Sequence, residues 1–166
     1  VSMHRAFRRE TEALRWRDAP EDLAAWQQGR TGIPLIDAAM RQLLATGWMH
    51  NRLRMVVAMY LTKNLLINWR EGERFFMQHL IDGDLAANNG GWQWSASTGT
   101  DAVPYFRIFN PLSQSERFDA EGHFIRHWLP ELAGLSNREL HNPAKLGGLF
   151  SPVDYPAQIV DLSASR

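Results

Sequence analysis

The residues with the most chemistry to offer lie in one stretch, IDGDLAANNGGWQW, from Ile81 to Trp94. Asn88, Asn89, Gly90 and Gly91 are four poor helix formers in a row, and each Gly costs about 1 kcal/mol against Ala inside a helix. Local rules tend to be broken where function asks for it. As a helix, the stretch places Asp84, Asn88 and Trp92 at i, i+4 and i+8, on one face. That face carries a carboxylate, an amide and an indole in line. Gly91 beside them removes a side chain and lets a flat group approach the backbone. Trp94, two positions further on, points to nearly the opposite side, so the two indoles serve different spaces. A loop is the alternative, because Asn-Gly and Gly-Gly are turn signals, and spacing alone leaves both open. A calcium loop built on Asp82, Gly83 and Asp84 fails. Ala86 stands at the third acidic position, Ala87 replaces the required Gly, and Gln93 replaces the final Glu.

The second unusual stretch is GWMHNRLRM, Gly47 to Met55. Asn51, Arg54 and Met55 share a helix face, while Arg52 turns away. An amide, a guanidinium and a thioether together are unlike a core stripe and suit an anionic or aromatic ligand. The plainer alternative is a solvated face with a stray Met. His123 and His127 stand at i, i+4, the spacing of two zinc ligands. There is no HExxH and no obvious third ligand, so a surface pair is the simpler reading. No G-x-S-x-G, P-loop or G-x-G-x-x-G occurs, which leaves hydrolase, NTPase and dinucleotide-fold readings without support.

Helices must position these residues. Asp18 and Pro20 predict a helix start, with Leu23 and Trp26 on one side and Gly29 as its end. Gly32, Ile33 and Pro34 open a second helix, in which Ile36, Met40, Leu43 and Leu44 keep helical spacing up to Gly47. His50 to Leu61 reads as a third, with Leu53, Val57 and Leu61 in line. Leu65 to Ile81 continues with Trp69, Phe76 and Leu80. Asp84 to Ala96 is a further candidate. From Ser97 to Asp119 the pattern breaks, and Pro104, Asn110, Pro111 and Ser113 mark ordered loop. His123 to Leu129 predicts a short helix before Pro130, and irregular backbone follows from Asn142. No clear run of strands appears. The fold class is all-α, with helices packed in a cluster rather than a regular bundle.

Composition bounds the function. A chain of 166 residues with 45% hydrophobic and 22% charged residues is one ordinary folded domain, neither disordered nor fibrous. The longest apolar run, Met55 to Leu61, is far below the ~18 residues that span a bilayer, and the charged stretch from Val1 to Glu10 is no signal peptide. Eighteen basic residues balance 18 acidic ones, so whole-molecule charge does not steer towards nucleic acid, although a local patch still could. Only Lys63 and Lys145 are lysines. The remaining cations are Arg, which pairs with phosphates and carboxylates two bonds at a time. Without cysteine there is no disulfide framework and no thiolate site, which fits a reducing compartment. The seven tryptophans include Trp26, Trp48 and Trp128, for which core packing is reason enough.

Taken in order, TGIPLIDAAMRQL (31–43), GWMHNRLRM (47–55), WREGE (69–73), the 82–94 stretch, ASTGTDA (96–102) and PYFRIFNP (104–111) resemble the cryptochrome/DNA photolyase family. Its bacterial-type class I members, which act on cyclobutane pyrimidine dimers, are the most similar. The resemblance runs from about Trp16 to Asp161. It implies an all-α FAD-binding domain of the photolyase/cryptochrome type, of which residues 1–166 are the C-terminal part. The N-terminal antenna α/β domain, with its folate or deazaflavin chromophore, then lies outside this chain. So do an upstream phosphate-binding loop and the other wall of the dimer pocket.

The resemblance also implies that Asp82, Gly83, Asp84, Asn88 and Arg54 bind FAD, with Asp82 paired to Arg54 and Asn88 facing the flavin N5. Asn51, Arg52, Met55 and Trp94 would line the cavity for a flipped-out dimer, and Gln114 would lie at the DNA surface. Trp92, Trp69 and Trp16 would carry electrons between flavin and solvent. The implied activity is light-driven repair of pyrimidine dimers by electron transfer from excited reduced FAD. UV-damaged DNA would be the partner of a monomeric, cytoplasmic bacterial protein. Two alternatives come from other classes: a cryptochrome-like blue-light photoreceptor without repair activity, and a catalytically empty helical binding module.

Overall fold

The computed structural model describes residues 16–81, 110–143 and 155–159. Among them are six α-helices and no strand: α1 (Pro20–Gln28), α2 (Pro34–Thr46), α3 (Asn51–Met59), α4 (Trp69–His79), α5 (Pro111–Phe118) and α6 (His123–Trp128). A π-helical turn, Tyr60–Asn64, extends α3, and a 3-10 turn, Pro130–Leu132, follows α6. The all-α expectation holds. No described helix is long and apolar enough to cross a membrane.

Helix α2 is the hub. Every residue from Thr31 to Met40 is buried, and α1, α3, α5 and α6 all pack against this helix. A helix enclosed on all sides needs no apolar stripe, and its one charged residue in that span, Asp37, is fully buried. The Asp37 carboxylate is saturated with donors. Oδ1 accepts from the Thr31 backbone N at 2.8 Å and from the Thr31 hydroxyl at 2.6 Å. Oδ2 accepts from the Gly32 N at 3.1 Å and from the Tyr155 hydroxyl. Burial pushes this carboxyl above its ordinary range, and the hydrogen bonds from Thr31, Tyr155 and Gly32 oppose that shift. Gly32 is at φ +86°, and a Cβ there would lie 2.5 Å from the Ala157 carbonyl oxygen. The segment 155–159 thus lies directly on the loop, with Ile159 N donating to Thr31 O at 3.1 Å.

Trp26 pins three helices in the main core. It is fully buried, its indole N donates to Val57 O on α3 at 3.1 Å, and its ring stacks on Phe76 of α4 at 6.1 Å. A second cluster joins Ala38 of α2 to Ile125, Leu129, Leu132, Leu135 and Leu140. Arg41 ties that layer down through Glu131, at 2.8 Å. Asp119 caps α6 by accepting from Phe124 N and Ile125 N.

Several boundaries differ from the sequence reading. Asp18 does not cap α1; Ala19 occupies that position without a side-chain bond, and Glu21 and Asp22 supply the first-turn acids. The helix expected from Leu65 starts only at Trp69, because Leu66 adopts φ +55° after the π turn and Asn68 caps the new helix. The loop expected through Asp119 contains α5. Asn110 and Pro111, read as turn markers, are its N-cap and first residue, with Asn110 Oδ1 accepting from Leu112 N at 2.9 Å. Trp26 is core as expected, whereas Trp48 is 47% exposed. The candidate helix 84–96 and the loop 97–109 lie outside the described residues.

Asp37→Asn is expected to lower stability by about 2–4 kcal/mol, because an amide turns two acceptor positions into a donor that faces donors. Urea denaturation followed by tryptophan fluorescence checks this; a loss under 1 kcal/mol would contradict the clamp. Gly32→Ala is expected to release the 155–159 segment, read as faster amide exchange at Ile159 with the α1–α4 core still protected.

Candidate functional site

The described half of the candidate site is built on α3 and α4. Helix α3 begins with an unusual cap. His50 Nδ1 accepts from Arg52 N at 3.0 Å, which leaves Nε2 as the protonated nitrogen of the neutral ring. Asn51 and Arg52 in the first turn are exposed, while Arg54 and Met55 are half-buried. Arg54 Nε donates to Met49 O at 2.7 Å, so the guanidinium is anchored to the backbone just before the helix. The structure thus places a fixed cation, an amide and a second, solvent-facing cation within one turn.

Gln114 is half-buried on α5, which packs against α2. An aromatic contact links its helix to α3: the His50 ring meets Phe118 at 5.3 Å, edge to face. Trp48 in turn meets His50 at 6.4 Å, and Phe118 meets Phe124 at 5.8 Å. The sequence reading missed this row. His is not a preferred cap, so nothing in the spacing marked His50.

Trp69 is the first residue of α4 and is only 1% exposed. Asn68 Oδ1 accepts from Arg70 N at 3.0 Å, which fixes the turn that holds the indole. Trp16 is half-buried against the same core. Arg17 N donates to Leu66 O at 2.6 Å, which lays the Trp16 segment beside the start of α4. A cleft of about 350 Å³ is lined by Trp16, Asp18, Leu23, Ile67, Asn68 and Glu71, among others. Trp16 and the two ends of the first turn of α4 therefore share one hollow. Asp82, Gly83, Asp84, Asn88, Trp92 and Trp94 lie outside the described residues, so the pairing of Asp82 with Arg54 does too.

The donor set fits the implied FAD. Of the residues expected to bind it, Arg54 is described, and a guanidinium anchored to the backbone is chemistry for an anionic ligand. No cluster of three possible metal ligands occurs among the described residues. His123 and His127 are both exposed, and His123 Nε2 lies 2.9 Å from Glu121 Oε2.

Comparison with known proteins identifies the family. The model of the FAD binding domain of DNA photolyase matches residues 1–166. The deoxyribodipyrimidine photo-lyase of Escherichia coli K12 is 60% identical over 166 residues, covering 98% of this chain and 35% of that protein. The protein of the same name from Vibrio cholerae is 59% identical over 153 residues, covering 92% and 32%. Among solved structures, a bacterial class III photolyase from Agrobacterium tumefaciens superposes with a TM-score of 0.93 at 42% identity, covering 98% of this chain and 35% of that one. A cryptochrome from Synechocystis sp. PCC6803 reaches 0.88 at 40%, covering 93% and 33%. This chain spans about a third of the length of these relatives. With a helical hub, an anchored cation at the candidate site and a family match from end to end, the chain belongs to the DNA photolyase family, as part of its FAD-binding domain.

Proposed function

We propose that the protein carrying this chain binds FAD here and repairs cyclobutane pyrimidine dimers in DNA under light. The observation that carries this reading is the 60% identity to the Escherichia coli deoxyribodipyrimidine photo-lyase along 98% of the chain. The flavin, when bound, supplies light absorption and one-electron chemistry; the protein supplies binding, orientation and electrostatics.

Arg54, Asp82, Gly83, Asp84 and Asn88 hold the cofactor, and Arg54 brings the positive charge that a reduced, anionic flavin needs. A dimer inside the duplex cannot be reached, so it leaves the stack, and a damaged pair costs least to unstack. Asn51, Arg52, Met55 and Trp94 receive it, with Gln114 towards the DNA. The exposure of Asn51 and Arg52 at the open end of α3 supports that assignment. Trp92, Trp69 and Trp16 pass electrons one at a time. The buried setting of Trp69 and the cleft-side position of Trp16 suit an inner relay and an outer end. The antenna chromophore, folate or deazaflavin, belongs to the part of the protein outside this chain.

The structural likeness to a cryptochrome favours a second reading, a blue-light receptor without repair. An oligonucleotide carrying one thymine dimer separates the two. Illuminated with the full-length, chemically reduced protein, it is expected to be restored; unrepaired DNA would sink the enzyme reading and leave the receptor.

Trp92→Phe is expected to stop photoreduction of the oxidised flavin yet spare repair by chemically reduced protein, as followed by flavin absorbance and dimer loss. Equal loss of both would contradict a relay role. Trp94→Ala is expected to weaken dimer-DNA binding by about 1–3 kcal/mol, the worth of one stacked base, with FAD retained. Fluorescence anisotropy reads the first and flavin absorbance the second.

A further inference from the structure

One buried titratable side chain lies outside the candidate site. His141 is 4% exposed, and its Nδ1 lies 2.5 Å from the hydroxyl of Ser115, which is fully buried on α5. Nε2 of the same ring lies 3.4 Å from Ala120 O, just beyond the end of that helix. A carbonyl only accepts, so Nε2 carries the proton of the neutral ring and Nδ1 accepts from the Ser115 hydroxyl. The ring thus holds α5 by its inner face and by the turn that ends it. Helix α5 has little else to hold it. Of its eight residues only Pro111 and Ser115 are buried, and Leu112 packs against the main core from a half-buried position. Among the described residues, Ser115 makes the one hydrogen bond from an α5 side chain to another element.

The other end of this tie is well anchored. Leu140, beside His141, is buried in the second cluster with Ile125 and Leu129. Asn142, on its other side, accepts from Gln158 Nε2 at 3.2 Å, and the 155–159 segment reaches the Asp37 carboxylate through the Tyr155 hydroxyl. We propose that His141 is a positioning residue for substrate binding: through Ser115 it sets where α5 presents its outer side chains to DNA. The role depends on reading α5 as a DNA-facing helix. Gln114 is the immediate neighbour of Ser115 and is half-buried. Arg117, two positions on from the inward Ser115, points nearly the opposite way at 3.6 residues per turn, and it is exposed. Loosening α5 therefore moves Gln114 and Arg117 together. Arg54 and Met55 sit on α3, so flavin binding and the dimer pocket do not hang on this tie.

Three variants of the full-length, flavin-loaded protein test this: Ser115→Ala, His141→Phe and the two combined. Each single variant is expected to bind an oligonucleotide carrying one thymine dimer roughly tenfold more weakly, as loss of one buried hydrogen bond should, read by fluorescence anisotropy. The combined variant is expected to bind no more weakly than either alone, because the two side chains act as one contact. Flavin absorbance, and repair per absorbed photon at saturating DNA, are expected to match wild type. His141→Asn, whose side-chain oxygen takes the place of Nδ1 as acceptor, is expected to recover most of the lost affinity. Single variants that bind as wild type overturn the proposal, and so do losses that add in the combined variant. Loss of flavin or of saturated repair alongside affinity also overturns it, since the pair would then only hold the fold. Should His141→Phe not fold, Ser115→Ala and His141→Asn decide the matter by the same readouts. A wild-type protein that neither repairs the oligonucleotide nor prefers it to undamaged DNA would sink the repair reading itself, and the role of His141 with it.

Discussion

The buried carboxylate of Asp37 is the constraint on which the arrangement of helices depends. A charge taken out of water is costly unless hydrogen bonds replace the lost hydration. Here four donors from Thr31, Gly32 and Tyr155 do so. The carboxylate therefore fixes the direction in which the chain enters α2. Because α1, α3, α5 and α6 all lean on α2, that entry angle is inherited by α3 and α5, which carry Asn51, Arg52, Arg54, Met55 and Gln114. The Tyr155 hydroxyl completes the set, and its own proton is held tightly, since burial and the adjacent carboxylate push the phenol well above its usual range.

Between hub and site the protein departs from regular helix. The π turn at Tyr60–Asn64 closes through Leu65 N to Tyr60 O at 3.0 Å, and Leu66 then takes a left-handed backbone angle of +55°. Such a conformation costs a residue with a Cβ roughly 1–2 kcal/mol, and it persists only where the surroundings hold it. The consequence is spatial. The chain ends α3 and restarts as α4 with Trp69 turned into the core and Trp16 brought alongside through the Arg17–Leu66 hydrogen bond. Distortion of this kind tends to gather near functional residues.

The long apolar periodicities were legible in the sequence: α2 and α3 appear where Ile36, Met40, Leu53 and Val57 place them. Boundaries set by single polar atoms were not. Asn68 and Asn110 are caps, yet in sequence an Asn before Trp or Pro reads equally well as a turn. The π turn has no periodic signature at all, so α4 was read four residues too early. The family resemblance was carried by ordered motifs rather than by any one contact, and it was enough to identify the domain. Asp37 was visible only as a letter inside one of those motifs. Its partner Tyr155 stands 118 positions away, a separation that local pattern reading does not reach.

That same separation gives the chain a temporal order. Helices close through neighbours three and four positions apart, whereas joining distant segments waits on the entropy of the loop between them. On a ribosome adding about 5–20 residues each second, Asp37 emerges many seconds before Tyr155 exists. The hub must assemble with its carboxylate one donor short, and the Tyr155 segment closes it once it is made. A chain cut before Tyr155 would keep α1 to α6 but leave the carboxylate at their hub one donor short.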